Sequence, residues 1–368
     1  MSASVGVQAR RVVVVDAYPY DPGGAHRLVA RMAERLGADW RVGAVLPDDG
    51  GSVDWLRDSG VDAAVVSAPA ALLGYGGSTV RGRALRGLLA LPAYWWRMTR
   101  YLRANADIVV ANDLRGLILG GLPARLARRP LVWWVHAWPP EWQRLGRPFS
   151  RLATGVIASS SPLLAMSVRG GQVISPPVEP PEPGRAVPAS PPEVACIARL
   201  HPQKGLDVLI EASALLRDRG VDHRLVIVGG AAGDDVRDQL DMLIAKYALA
   251  DQVDLRGNVS DIGTLFRAAT VYVQSSRSAE GFGMAVLEAM AYGVPVVATD
   301  VGGLHDLVTD VGVLVPPEDA STLADAVAEL LSNPERRAEL AAAGLDRAAK
   351  HDPESWARQM ASALTGAA

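Results

Sequence analysis

Glu280 and Glu288 stand with seven residues between them inside the segment Ser276–Gly303, and Gly281 and Gly283 directly follow the first glutamate. A strand ending near Gln274 leads into the loop that bears Glu280, and the glycines open a helix. A glycine-rich loop at a helix N-terminus offers free N–H donors and the positive end of the helix dipole, which suit an anion, most often a phosphate. Arg199 and Lys204 lie in a second strand-to-helix loop, Arg199-Leu200-His201-Pro202-Gln203-Lys204-Gly205. Arginine brings a bidentate fork and lysine a point charge, so the pair can clamp a diphosphate. Lys204 is one of only three lysines in a chain with 34 arginines, so lysine is replaced by arginine almost everywhere else. Each residue also has an ordinary reading. At about 100° per residue Glu288 lies about 150° from the stripe of Val286, Leu287 and Met290, the place of a solvated glutamate. Lys204 by itself also has the reading of a surface lysine near a helix start.

These loops need a scaffold. In the first half, 12–15, 42–46, 63–66, 108–111, 131–135 and 155–158 read as strands, and in the second half 194–198, 224–228, 253–255, 271–274, 294–298 and 313–315 do the same. Amphipathic stretches lie between them at 206–219, 235–247, 262–269, 284–292 and 322–331, followed by helices at 334–350 and 353–364. Alternating short β-branched runs and helical stretches are the signature of βα units around a parallel sheet. Eight prolines between Pro176 and Glu193 mark a hinge. The expected organisation is α/β with two Rossmann-like domains facing across a cleft. Residues 1–178 form the first, joined by a returning helix 353–368; residues 179–193 are the linker and 194–352 the second. Ligands of open α/β sheets sit beyond the carboxyl ends of the strands. The first half places two candidates there: Gly23-Gly24, before a helix at 25–36, and His136, at the end of the run Leu131–Val135.

Composition narrows the function class. The 368 residues are 49% hydrophobic and 21% charged, which is ordinary for a globular chain. One cysteine, Cys196, excludes an internal disulfide framework and a multi-cysteine zinc site and fits a reducing compartment. No apolar run has the length of a signal peptide or a membrane span, so a cytoplasmic protein is expected. From Arg81 to Arg151 there are 13 arginines against Asp107, Asp113 and Glu141, a local balance of +10 within a net charge of −3. One face of the first half is therefore expected to meet an anion.

Together the residues EGFGMAVLEAMAYGVPVVATDVGG, from Glu280, resemble the signature of retaining GT-B glycosyltransferases, specifically glycosyltransferase family 4. ARLHPQKG, ending at Gly205, is similar to that family's Arg/Lys element, and DPGGAHR, ending at Arg27, to its N-terminal glycine loop. The resemblance implies that Arg199 and Lys204 hold the donor diphosphate and neutralise the leaving group. It implies that Glu288 takes the ribose hydroxyls, that Glu280 lies by the transferred sugar, and that Gly281, Phe282, Gly283 and Met284 present backbone to sugar and phosphate. Backbone around Leu255–Asn258 would meet the base, Gly23 and Gly24 would approach the donor phosphate or acceptor, and His136 would touch donor or acceptor. Members need neither metal nor cofactor, and no Asp-x-Asp pair occurs here. UDP is expected over GDP as the donor nucleotide, with same-face substitution as the retaining course. Three positions depart from the family: Ala137 follows His136 in place of Asp, Leu304-His305 follows Gly302-Gly303 in place of Pro-Glu, and His26 stands where many relatives carry Glu.

The acceptor side is less specific. Eight of nine tryptophans fall at 40, 55, 95, 96, 133, 134, 138 and 142, and Arg83, Arg86, Arg97 and Arg100 share a helical face, with Leu85, Leu88, Leu89, Trp96 and Leu102 largely elsewhere. This fits an interfacial helix at the inner membrane face, a packed helix with a solvated arginine face, or an acceptor groove. Gly87 and Pro92 would divide it into two helices. Nucleic acid is not expected, because no binding module accompanies the charge. A catalytically inactive GT-B partner or regulator is the alternative to an enzyme. A dehydrogenase fits poorly, since Gly281-Phe282-Gly283 has no third glycine at 286 and lies late in its domain.

Overall fold

Strands that are apolar on both faces belong in parallel sheets covered by helices on both sides. In the computed structural model two such sheets form. The structure describes residues 9–20, 22–69, 80–136, 148–165, 170–181, 189–230, 234–259, 261–278 and 280–367, with 80–90 and 234 as backbone alone. The sheets lie in separate units, Met1–Pro176 with Pro353–Ala368, and Pro177–Asp352.

In the first unit the strands are β1 (Arg10–Val15), β2 (Trp40–Leu46), β3 (Asp62–Val65), β4 (Ile108–Asn112), β5 (Leu131–Val135), β6 (Gly155–Ala158) and β7 (Gln172–Val173). They run parallel in the order β3-β2-β1-β4-β5-β6-β7. The helices are α1 (Gly24–Arg35), α2 (Gly51–Asp58), α3 (Val80–Asn105), α4 (Asp113–Leu126) and α5 (Ser161–Leu164), and the C-terminal helix Pro353–Ala367 joins them. Trp133 and Trp134 of β5 are buried on opposite faces of its continuous apolar run. The strands expected from sequence are all present with ends shifted by at most two residues, whereas β7 is two residues long and too short to carry a period.

The expected break at Pro92 does not occur, because α3 is one helix with that proline inside it. Leu91, Tyr94, Met98 and Leu102 are buried along one stripe, and their packing offsets the lost backbone bond. Trp96 is not on that stripe: it is 60% exposed and lies beside Arg100, whose guanidinium sits 4.8 Å from the ring centroid. The side chains of Arg83 and Arg86, and Trp138 and Trp142, fall outside the described residues.

The second unit holds β8 (Glu193–Ile197), α6 (Leu206–Asp218), β9 (Arg224–Val228), α7 (Asp234–Lys246), β10 (Val253–Arg256), α8 (Ile262–Ala268) and β11 (Ala269–Gln274). After these come α9 (Met284–Ala291), β12 (Val296–Thr299), α10 (Gly303–Val308), β13 (Val313–Val315), α11 (Ala320–Ser332) and α12 (Pro334–Ala349). The parallel order is β10-β9-β8-β11-β12-β13. Alternation divides the core between two faces. Cys196, Ile227 and Val273 pack with Leu209 of α6 and Leu323 of α11. Ala195, Val226 and Tyr272 pack with Val286 and Met290 of α9. The helices after the neighbouring strands β8 and β11 thus leave to opposite faces, and the loops that precede them part at the carboxyl ends of the strands. This is the switch point at which α/β sheets bind ligands.

Two glycines let these loops close together. Gly283 caps α9 at φ 98°, in the left-handed region. Gly205 caps α6 at φ 60°, and a Cβ there would fall inside contact distance of the Ser275 carbonyl oxygen on the other loop. Replacing Gly205 with Ala combines left-handed strain with a backbone clash, for a total of roughly 2–4 kcal/mol. Urea unfolding is expected to show a clearly lowered midpoint for Gly205→Ala; an unchanged midpoint would contradict this closeness.

Candidate functional site

In the second unit Lys204 ends a 3-10 turn, Pro202–Lys204, after β8, and Glu280 follows β11. Lys204 Nζ lies 2.6 Å from Glu280 Oε2, and the two side chains are 20% and 21% exposed. Ser276 Oγ donates to the same oxygen at 2.9 Å. Burial opposes ionisation of Glu280, but Lys204, Ser276 and Arg199 together outweigh it and hold the carboxyl below its ordinary value. A lysine ammonium has three N–H donors, so one bond to Glu280 leaves two for another anion. The exposed Arg199 acts on Glu280 through its charge. Burial, with Arg199 and Lys204 adding to it, lowers the His201 pKa; Gln203 N–H donates to His201 Nδ1 at 3.2 Å. A protonated imidazole is disfavoured there because the loop is already cationic.

Backbone contacts lock the two loops. Arg277 N–H donates to Gln203 O at 2.9 Å, and its guanidinium donates to Pro202 O at 3.0 Å, to Glu318 Oε1 at 3.0 Å and to Asp207. Ser275 Oγ donates to Lys204 O at 2.9 Å. Sequence reading passed over Ser276 and Arg277, although both lie in the Ser276–Gly303 segment it singled out. Gly303 backs the glutamate loop, its N–H donating to Glu280 O at 2.8 Å, with no room for a Cβ against Gly281 O. Beside it His305 pairs with Asp300 at 2.7 Å, and hydrogen bonding to that carboxylate raises the imidazole pKa.

Glu288 is half-buried on α9, and its negative charge reaches Tyr272, behind Glu280. The solvated position suggested by periodicity does not hold, because five of the eight residues of α9 are buried. Phe282 is buried with its ring 5.4 Å from that of His351, and Met284 opens the helix half-buried. Leu255 is a core side chain with its backbone paired to Ile227, while Asn258, past the end of β10, is exposed and lies against Gly230.

The first unit gathers a second polar cluster past the ends of β1, β4 and β5. Asp16 accepts from Tyr18 N–H at 2.8 Å and from Asn112 Nδ2. His26 Nδ1 accepts from Gly23 N–H at 3.0 Å, which leaves its proton on Nε2, 3.0 Å from Tyr18 O. His26 therefore braces the glycine loop, and the Gly23 amide is already engaged. His136 N–H donates to Asp113 Oδ1 at 2.8 Å, and its Nδ1 lies 3.2 Å from Ser159 Oγ. Its Nε2, like Asn112 Oδ1, is buried without a partner among the described residues. Burial lowers the His136 pKa to about 3. Its imidazole is neutral near pH 7 and suits hydrogen bonding to a ligand better than storing a proton.

Among the described residues no group of three or more His, Cys, Asp or Glu is placed to hold a metal ion, and no helix is long and apolar enough to cross a membrane.

Comparison with known proteins matches residues 22–180 to the model for Glycosyltransferase Family 4 and residues 183–347 to that for Glycosyl transferases group 1. The chain is 30% identical over 366 residues to the phosphatidyl-myo-inositol mannosyltransferase of Mycobacterium leprae, covering 93% of each protein. It is 35% identical over 164 residues to the lipopolysaccharide core biosynthesis mannosyltransferase LpsB of Rhizobium meliloti, covering 43% of this chain and 46% of that protein. Its fold is similar to that of Anabaena Alr3699/HepE, solved in complex with UDP and glucose, with a TM-score of 0.80 at 23% identity over 97% of this chain and 99% of that one.

A histidine neutral in the fold but free to protonate when unfolded loses stability as pH falls below its unfolded value, by up to about 1.4 kcal/mol per pH unit. For His136 that window opens near 6.5 and runs down toward about 3. Chemical denaturation at pH 7 and pH 5 is expected to show a smaller loss for His136→Gln than for the natural chain. Equal losses would show that His136 is not held neutral.

Proposed function

This chain belongs to glycosyltransferase family 4, and from that premise we propose that it is a retaining enzyme moving a sugar from a nucleoside diphosphate sugar, UDP in preference to GDP, to a hydroxyl-bearing acceptor. The observation that carries this reading is the Lys204–Glu280 pair, with Arg199 beside it, at the switch point of the second sheet. Transfer requires a diphosphate to leave, and fixed cations stabilise the charge that develops on it. Arg199 and Lys204 supply that charge, so the reaction proceeds without a divalent cation. Glycine-opened α9 adds the positive end of its dipole. Glu280 takes its two donors among the described residues on Oε2, which leaves Oε1 for sugar hydroxyls, and Glu288 takes the ribose.

A carboxylate held by an ammonium and a hydroxyl is a weakened nucleophile, which supports same-face departure over double displacement. Acceptor recognition falls to the first unit, where buried Asn112 Oδ1 and His136 Nε2 suit a polyhydroxy compound. Similarity to a protein named phosphatidyl-myo-inositol mannosyltransferase supports such an acceptor, since inositol is a polyhydroxy ring. Trp96 and Arg100, exposed together on α3, support contact with an anionic membrane surface from the cytoplasmic side.

Calorimetric titration in EDTA with UDP and with GDP is expected to show saturable binding of one of them. Lys204→Ala should weaken it by about tenfold or more, the loss of a charge-assisted contact of about 1.5–3 kcal/mol. Binding untouched by Lys204→Ala would remove the diphosphate clamp; no binding of either nucleotide would favour an inactive relative acting as a partner protein.

A further inference from the structure

A buried polar chain stands behind Glu280. Tyr272, Gln274 and Ser276 are 0%, 3% and 1% exposed, at alternate positions along β11 and its exit, so they share one side of the extended chain. Ile197 N–H lies 3.4 Å from the Tyr272 hydroxyl, which donates to Gln274 Oε1 at 3.0 Å, with the Ile197 carbonyl oxygen a more distant acceptor at 3.3 Å. Gln274 Nε2 donates to Ser276 Oγ at 3.0 Å, and Ser276 donates to Glu280 Oε2 at 2.9 Å.

The carboxylate at the end of the chain dictates the direction of every link. An ionised carboxylate only accepts, so Ser276 must spend its proton there and needs a donor of its own. Among the described residues only the NH2 end of Gln274 supplies one, which turns the Gln274 carbonyl toward the phenol. A flipped amide would draw the serine proton away and set an oxygen lone pair against the carboxylate. All the dipoles therefore point at Glu280, and aligned hydrogen bonds in a low-dielectric interior reinforce one another. Packing alone does not call for this arrangement. A buried amide is costly unless fully bonded, and leucine would fill the end of β11 without that cost.

We propose that Gln274 is a positioning residue: it aims the Ser276 hydroxyl at Glu280 Oε2, and so holds the carboxylate in the orientation that takes Lys204 on one oxygen and leaves the other for the donor sugar. The proposal rests on the reading of Glu280 as the group facing that sugar. The titratable groups around the chain are Lys204 and Arg199 beyond β8, Cys196 within β8, Glu288 on α9 and Tyr272 itself. All of them remain when Gln274 or Ser276 is changed, so a shift in Glu280 on either change reports the hydrogen-bond chain.

The test is a titration of the Glu280 carboxyl by NMR in the full chain carrying glutamate labelled with carbon-13 at the side-chain carboxyl. The resonance is assigned by its loss in Glu280→Gln. The natural chain, Gln274→Leu, Ser276→Ala and the double variant are followed from about pH 3 to about pH 7. Both single variants are expected to raise the midpoint by about one pH unit, tenfold in proton affinity, with no further rise in the double variant because both cut one path. A midpoint in Gln274→Leu equal to that of the natural chain would overturn the proposal, whether or not Ser276→Ala shifts it. No nucleotide enters this experiment, so it separates from the donor reading. Raised midpoints in a chain that binds neither UDP nor GDP would keep the positioning role and remove the sugar. Nucleotide binding with unmoved midpoints would do the reverse.

Discussion

The contact between Lys204 and Glu280 is the constraint on which the second unit's site depends. It joins a cation carried past the end of β8 to a carboxylate carried past the end of β11, strands that are neighbours in the sheet but lie far apart in the chain. Partly buried charges of this kind are kept only where their remaining bonding capacity is met. Ser276 meets part of it on the carboxylate, and the two ammonium protons left over among the described residues call for a ligand or solvent. Around the pair, Arg277 bonds to the Lys204 turn through its main chain and its guanidinium, and Gly205 and Gly303 leave no gap between the loops. The rigidity belongs to the loops, and the sheet supplies the divergence that lets them face one another.

The first unit is built by the same topology with different chemistry. Its cluster contains no lysine: Asn112 donates to Asp16 and His26 holds the glycine loop through Gly23, while His136 and Asn112 each keep a buried atom without a partner among the described residues. One unit presents positive charge for an anion, and the other presents neutral hydrogen-bonding groups. That division accords with the proposed reaction, in which a diphosphate departs and an uncharged hydroxyl arrives.

Much of this was legible in the chain. The βα alternation placed the strands closely, and with them the loops of Arg199, Lys204 and Glu280 past the carboxyl ends of β8 and β11, because short elements leave little freedom in where a loop emerges. What stayed hidden depended on which way buried groups face. The alternative of a solvated Glu288 rested on an amphipathic arc, which assumes a helix covered on one side, and α9 is buried around most of its circumference. Gln274 read as the last residue of a strand, since period-two patterning carries no sign of an amide bonded at both ends. Pro92 read as a break, yet the packing of Tyr94, Met98 and Leu102 carries the helix through it. His26 read as a departure without a role, and the hydrogen bond from Gly23 supplies one.

The most direct test of the central claim is a double-mutant cycle on nucleotide affinity, using the natural chain, Lys204→Met, Glu280→Gln and the pair together, titrated with whichever of UDP and GDP binds. If lysine and glutamate act as one unit on the diphosphate, the effects should be non-additive by more than about 0.5 kcal/mol, the margin within which independent sites usually add. Additive effects, or a Lys204→Met protein that binds the nucleotide as well as the natural chain does, would contradict a shared site at the ends of β8 and β11.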